Sequence, residues 1–346
     1  MFFWRRKSTP PAMTLEGALG PNDRLESAAA ARVEAPDALV VAADGRLLVS
    51  SGARVLALAA WGEAPGLWAE FAAPVTALAA SPGGRVAIGL RGGGLELRER
   101  DGRPSPGWGA PAGLKSVVDA MFLSEDELAI VDFGFGADEP VLSIAPWDDV
   151  GRGRLWAIPR QGPPRVLVEG LWCPMGVGRD AEGGLVVSEF ERARIVGLDG
   201  RVRQAGLPGY LGRFAKTEAG YLLTCLSRRD PLIEFLKTER EFVKDMKART
   251  PPSHWIAPRL DPQFRHDLPI ELGATRLFGE VKPWAPSFSY GLVIELDARF
   301  SPLGSWQSRA HGRRHAISAA LVWNGDIVAV SKASGELLKL DREARR

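Results

Sequence analysis

Asp44-Gly45-Arg46-Leu47-Leu48-Val49-Ser50 is a tight turn followed by a β-branched and leucine-rich run that ends in a small polar residue. The phrase returns as Gly83-Gly84-Arg85-Val86-Ala87-Ile88-Gly89, Glu125-Asp126-Glu127-Leu128-Ala129-Ile130-Val131-Asp132 and Gly183-Gly184-Leu185-Val186-Val187-Ser188. Two further copies are Ala219-Gly220-Tyr221-Leu222-Leu223-Thr224 and Asn324-Gly325-Asp326-Ile327-Val328-Ala329-Val330-Ser331. Apolar residues precede each copy, and an alternating strand such as Arg54-Val55-Leu56-Ala57-Leu58 or Glu336-Leu337-Leu338-Lys339-Leu340 follows several of them. Each copy therefore sits inside a three- or four-stranded antiparallel unit. The anchors Gly45, Gly84, Asp126, Gly184 and Gly220 recur at intervals of roughly 35 to 60 residues, the length of one propeller blade. Six copies predict an all-β, six-bladed β-propeller.

Gly220 to Gly325 spans about twice that interval and so contains an insertion, at about 229–290. It begins with helical signals. Asp230 is an N-cap with Pro231 at the first helical position, and Leu232, Ile233, Leu236, Phe242, Val243 and Met246 form an apolar face that Pro251 and Pro252 end. The expectation is one helix inserted in blade five, either packed for stability or closing over the central pocket as a lid. Gly134 to Gly153 reads as a surface loop. Residues 1–30 form an N-terminal segment, of which Leu15 to Leu25 is expected to complete the last blade; residues 31–346 form a single propeller domain.

The balance of 44 basic and 42 acidic residues, net +2, gives no field that argues for nucleic acid. Cys173 and Cys225 lack paired spacing, so neither a disulfide framework nor a thiolate metal cluster is expected. Met1-Phe2-Phe3-Trp4-Arg5-Arg6-Lys7 reverses the order of a signal peptide, and no long apolar run follows. The expected location is cytoplasmic. The aromatic-basic terminus reads as a frayed end, with contact to a membrane surface as the alternative.

Several stretches resemble strictosidine synthase-like propellers, in a superfamily with gluconolactonases and paraoxonase-type lactonases. These are Arg154-Leu155-Trp156-Ala157, Val166 to Val177 with Trp172-Cys173-Pro174-Met175-Gly176, and Val186 to Ile195. Ala35-Pro36-Asp37, Val131-Asp132-Phe133, Leu207-Pro208-Gly209-Tyr210 and the insertion after Arg228 extend the likeness. The resemblance implies an axial site at the starts of the innermost strands, where metal-dependent members hold a divalent cation on oxygen ligands. At the matching positions this chain has Asp37, Val118 beside Asp119, Met175, and Leu211-Gly212-Arg213. Calcium requires six to eight oxygens, and a thioether, an isopropyl group and a guanidinium side chain offer none. No cofactor is expected; calcium is the alternative, with Asp37 as its ligand. The glutamate of strictosidine synthase is missing too, because His311-Gly312-Arg313-Arg314-His315-Ala316-Ile317-Ser318 has no carboxylate.

The leading expectation is therefore metal-independent acid-base chemistry on a small organic molecule, anionic where Arg213 anchors it. His315, Asp119 and Asp37 are its catalytic candidates, with Asp37 or Asp119 orienting His315. Arg213 would anchor an anionic group, with Trp172, Met175 and Tyr210 lining the pocket, and with Phe214, Trp255 and Trp284 as a further aromatic wall. The alternatives are a non-catalytic propeller that binds a ligand or protein, and a calcium-dependent lactonase or esterase. Asp132 and Glu189, each closing a second strand, read as structural acceptors for neighbouring loop amides.

Overall fold

The computed structural model describes residues 10–262, 276–277, 280–281 and 289–341. Six antiparallel sheets form a ring, five with four strands and blade two with three. The innermost strands are Leu39–Val41, Val75–Ala80, Asp119–Ser124, Pro174–Arg179, Gly209–Lys216 and Ile317–Trp323. The recurring phrases supply the second strand of each blade. Leu47–Ser51 and Val86–Leu90 are buried at every position, because a blade is covered by a neighbour on both faces. A strand buried on both sides loses the apolar-polar alternation of a half-exposed one.

The period of two survives in which neighbour each residue meets. Leu47 and Val49 pack on blade six, whereas Leu48 packs on blade two. Leu128 and Ile130 meet blade two, whereas Ala129 and Val131 meet blade four. Val186 and Leu223 join blades four and five, and Leu222, Val293, Ile327 and Ala329 join blades five and six. The core is thus a circle of six inter-blade clusters. Outer strands are more exposed, as in Arg165–Leu171.

Closure differs from expectation. The N-terminal strand that completes blade six is Ala29–Arg32, paired with Glu336–Lys339. Leu15 to Leu25 instead pack against the outside: Gly17–Leu19 and Arg24–Ser27 are short helices beside the outer strand Pro302–Ser308. Gln307 Nε2 donates to the Leu19 carbonyl at 2.9 Å, and Leu25 fills the cluster between blades five and six.

The insertion leaves blade five after Gly220–Arg228 and returns at Gly291–Asp297. Its helical signal resolves into two helices, Pro231–Leu236 and Arg240–Arg249, rather than one. Asp230 caps the first as expected, accepting from the amides of Leu232 at 2.8 Å and Ile233 at 3.4 Å. The break falls at Thr238, whose hydroxyl back-bonds to the Phe235 carbonyl at 2.7 Å. The blade-three loop also carries helical turns, Val141–Ile144 and Ala145–Trp147. Trp147, Ile233 and Met246 form one buried cluster joining that loop to the insertion, secured by Trp147 Nε1 to the Ile256 carbonyl at 2.7 Å and Lys247 to Asp149 at 2.7 Å. Both excursions leave from ends of second strands, so they share the face at which the innermost strands begin. Trp284 and Met1–Lys7 lie outside the described residues.

Candidate functional site

At that face the chain is steered inward by repeated irregularities. Ala35, Cys173 and Ala316 have φ of 43°, 46° and 53°, each two residues before an axial position: Asp37, Met175 and Ser318. Left-handed conformations are costly for residues with a Cβ and persist where their surroundings enforce them. Register then shifts between Val75 and Ala77, Pro174 and Gly176, Leu211 and Phe214, and Ile317 and Ala319. These bulges take Thr76, Met175, Arg213 and Ser318 out of regular pairing and re-aim their groups. The result is a set of backbone carbonyls directed at the axis, which need donors.

Arg213 supplies the donors. Its Nε donates to the Val118 carbonyl at 2.8 Å, and Nη1 donates to the carbonyls of Asp37 and Ser318 at 2.9 Å each and to Asp37 Oδ1 at 3.2 Å. Nη2 donates to the Thr76 carbonyl. One guanidinium growing from blade five thus ties together blades one, two, three and six. Blade four contributes Gly176, where an added Cβ would stand 2.9 Å from Arg213 Cα and 3.0 Å from Ser188 Oγ. Gly212 is equally required, since a Cβ there would lie 2.5 Å from Thr224 Oγ1.

Two carboxylates and a lysine complete the cluster. Asp119 Oδ1 stands 3.8 Å from Arg213 Nε, while Oδ2 accepts from the Val177 amide at 2.9 Å. Burial pushes the Asp119 carboxyl up to about 6 against the pull of Arg213. For Asp37 burial also opposes charge, but Lys332 at 2.7 Å and Arg213 outweigh it and hold the carboxyl below its ordinary range. The side chains of Asp119, Arg213, Asp37 and Lys332 remain 11, 12, 18 and 31 % exposed, so the cluster is largely but not fully sealed from solvent.

The other expected residues lie elsewhere or are already engaged. His315 is fully buried, its Nδ1 2.9 Å from Ser289 Oγ and its Nε2 2.9 Å from the Arg309 carbonyl. A carbonyl can only accept, so Nε2 carries the proton and Nδ1 accepts from the serine. Burial pushes the imidazole down to about 4. It is oriented by Ser289 and Arg309 rather than by Asp37 or Asp119, and it has the setting of a neutral structural histidine. Tyr210 is fully buried as well, stacked on Phe190 at 5.0 Å with its hydroxyl 3.3 Å from Glu234; it is a pillar under the insertion, not an open wall. Phe214 packs edge-on to Tyr221 between blades, and Trp255 donates to the Thr250 carbonyl within the cap. Trp172 lies under the Arg192 guanidinium at 3.9 Å, and Met175 is half-buried between the cluster that joins blades three and four and the one around Phe135, Phe190 and Tyr210. Cys173 is buried, which raises its thiol far from reactivity.

Asp132 and Glu189 act as the acceptors that their strand-end positions imply. Asp132 receives Ser116 Oγ at 3.0 Å and the Gly134 amide at 2.9 Å; Glu189 receives the Trp172 amide at 2.8 Å and pairs with Arg194. A separate cleft of about 440 Å³, lined by Lys115, Asp132, Arg152 and Arg154 among others, lies off the axis. Lys332 and the bulge carbonyls of Thr76 and Ser318 escaped the sequence reading. Lys332 was within reach of it, one residue beyond the sixth phrase and beyond Ser331, which ends the second strand as Asp132 and Glu189 do in blades three and four.

No protein-family model matches the chain, and no curated protein matches it. Solved structures do. One, from Xanthomonas campestris and described as a gluconolactonase important in glucose secondary metabolic pathways, has a TM-score of 0.54 at 13% identity over 96% of this chain and 95% of its own. Another, described as a candidate gluconolactonase, has a TM-score of 0.53 at 13% identity over 91% and 92%. The fold is that of the gluconolactonase-type six-bladed propellers. At such identity the likeness carries the fold alone.

A divalent cation, the alternative that the sequence raised, does not suit the axis as built. The converging carbonyls that would ligate it already accept from Arg213. A second positive centre among them would face a fixed guanidinium, with Lys332 close behind Asp37. No cluster of three or more His, Cys, Asp or Glu side chains with metal-binding geometry occurs among the described residues. None of the described helices is long and apolar enough to cross a membrane.

Proposed function

We propose that this propeller carries out metal-independent acid-base chemistry on a small organic molecule at its axial floor, with ester or lactone hydrolysis as the reaction class. The observation that carries the reading is Asp119: a carboxyl on the axis, partly open to the face, kept near half-protonation by burial and next to a fixed guanidinium. A carboxylate poised near pH 6 accepts a proton from an attacking water and returns it to a leaving alkoxide. Arg213 and Lys332 supply a positive field where a carbonyl oxygen gains charge, with Lys332 the more exposed of the two. Trp172 and Met175 would border the substrate. The gluconolactonase descriptions of the fold neighbours agree with this class and supply no residue for it. Within the reading we keep the strictosidine synthase-like pattern as kinship. The amine-aldehyde condensation is left out, because the loop at 311–318 lacks its glutamate.

A non-catalytic ligand-binding propeller is the second reading, favoured by the full engagement of Arg213 with protein oxygens. A panel of small lactones and aryl esters, assayed with a chelator present, separates the two. Turnover that rises through pH 6 and disappears in Asp119→Asn supports the enzyme. Saturable binding of panel members without turnover, unchanged in Asp119→Asn, supports the second reading.

A further inference from the structure

The axial oxygens come from four separate sequence segments, and the hydroxyl donors among them, Ser318 Oγ to the Asp37 carbonyl at 2.7 Å and Thr224 Oγ1 to the Ser318 carbonyl at 3.4 Å, tie together only part of the set. Asp37, Thr76, Val118 and Ser318 present carbonyls, Asp37 adds Oδ1 at 3.2 Å, and Asp119 Oδ1 lies 3.8 Å away, all around one guanidinium. Negative ends of dipoles gathered from four blades repel one another, and a positive charge at their centre offsets that repulsion. The arrangement is a cation site in all but the source of its cation. Its shape is also specific. The acceptors are spread to meet donors on three nitrogens of a planar fork, which is wider than the compact shell of about 2.3–2.6 Å that calcium requires.

We propose that the propeller axis is a guanidinium-selective cation site whose occupant the chain carries itself, as Arg213. The guanidinium does the joining work between blades that a bound ion would otherwise do. The site, not the side chain, is then the functional unit, and an emptied site should accept a free ion of the same shape. The inference does not depend on whether Asp119 performs chemistry.

The test uses the full chain with Arg213→Ala, and methylguanidinium chloride as the probe at millimolar concentrations below those that denature. The thermal midpoint of the variant should fall by several degrees relative to the parent. Methylguanidinium should restore part of the loss in a saturable manner, calcium should restore less, and neither should raise the parent. Adding Asp37→Asn to Arg213→Ala, which removes the nearer of the two carboxylates at the site, should weaken the rescue at least tenfold in apparent affinity. Should Arg213→Ala fail to fold on expression, the yield of refolding from urea is read with and without methylguanidinium, and a rise that saturates carries the same meaning. The proposal is overturned by a variant as stable as the parent, by a destabilised variant that no cation rescues, by calcium rescuing better than methylguanidinium, or by rescue that survives Asp37→Asn undiminished.

Discussion

Asp119→Asn should make the protein more stable near neutrality than the parent, and the gain should vanish in acid. The carboxyl's displacement from 3.8 to about 6 has a definite sign. Across that interval the folded chain holds a proton that the unfolded chain has released, so stability falls as pH rises and levels off above the folded value. At 1.36 kcal/mol per pH decade, charging Asp119 in place costs about 3 kcal/mol. His315 runs the other way: burial lowers it from 6.5 to about 4, so the unfolded chain takes up a proton that the folded chain refuses. Its contribution is complete above 6.5 and is lost as pH falls towards about 4, again about 3 kcal/mol. The two nearly cancel, so the parent should show little pH dependence from this pair. Asparagine can still accept from the Val177 amide but carries no charge to desolvate, so the variant exposes the histidine slope alone. Urea unfolding of parent and variant across this interval gives the difference directly. Carboxylates that are depressed in both proteins, such as Glu234 and Glu26, drop out of the difference. A difference that stays constant from the acid limit to neutrality would show that Asp119 titrates normally and would refute the reasoning.

Gly176→Ala should destabilise by about 1–3 kcal/mol in the same unfolding assay, because its methyl group would meet Arg213 Cα at 2.9 Å, the Gly212 carbonyl at 3.1 Å and Ser188 Oγ at 3.0 Å. Equal stability would mean that blade four does not press on the axis. Removing residues 1–32 should uncover the edge Glu336–Leu340 and empty the place of Leu25 between blades five and six. Light scattering should then show self-association, and a stable monomer with the parent's midpoint would contradict closure by Ala29–Arg32.

The ring was legible because its information is local and repeated. Each second strand carries its own turn and apolar run, and the repeat fixes how many blades must close. The helical insertion was legible through Asp230 and Pro231, yet its division at Thr238, where hydroxyl and amide both turn back to the Phe235 carbonyl, is not contained in a periodic pattern. That the ring must close between its ends points to the N-terminal segment but not to which of its residues pair, and the edge of blade six takes Ala29-Ala30-Ala31-Arg32, whose only visible requirement is backbone, rather than Leu15 to Leu25. The axial site divides in the same way. Asp37 and Arg213 could be placed near the axis through the family resemblance, and Asp119 also as the start of an inner strand, but the role of Arg213 depends on where the carbonyls of Thr76, Val118 and Ser318 point. Carbonyls have no letter in a sequence, and bulges set their direction. His315 failed for the complementary reason. Its loop reads as polar and Arg-rich, but Glu26 accepts the amides of Arg313 and Arg314 at 3.1 and 2.8 Å and draws the loop inward. What such a sequence can yield is therefore the charge inventory of the axis; how those charges are spent is decided by backbone groups that every residue shares.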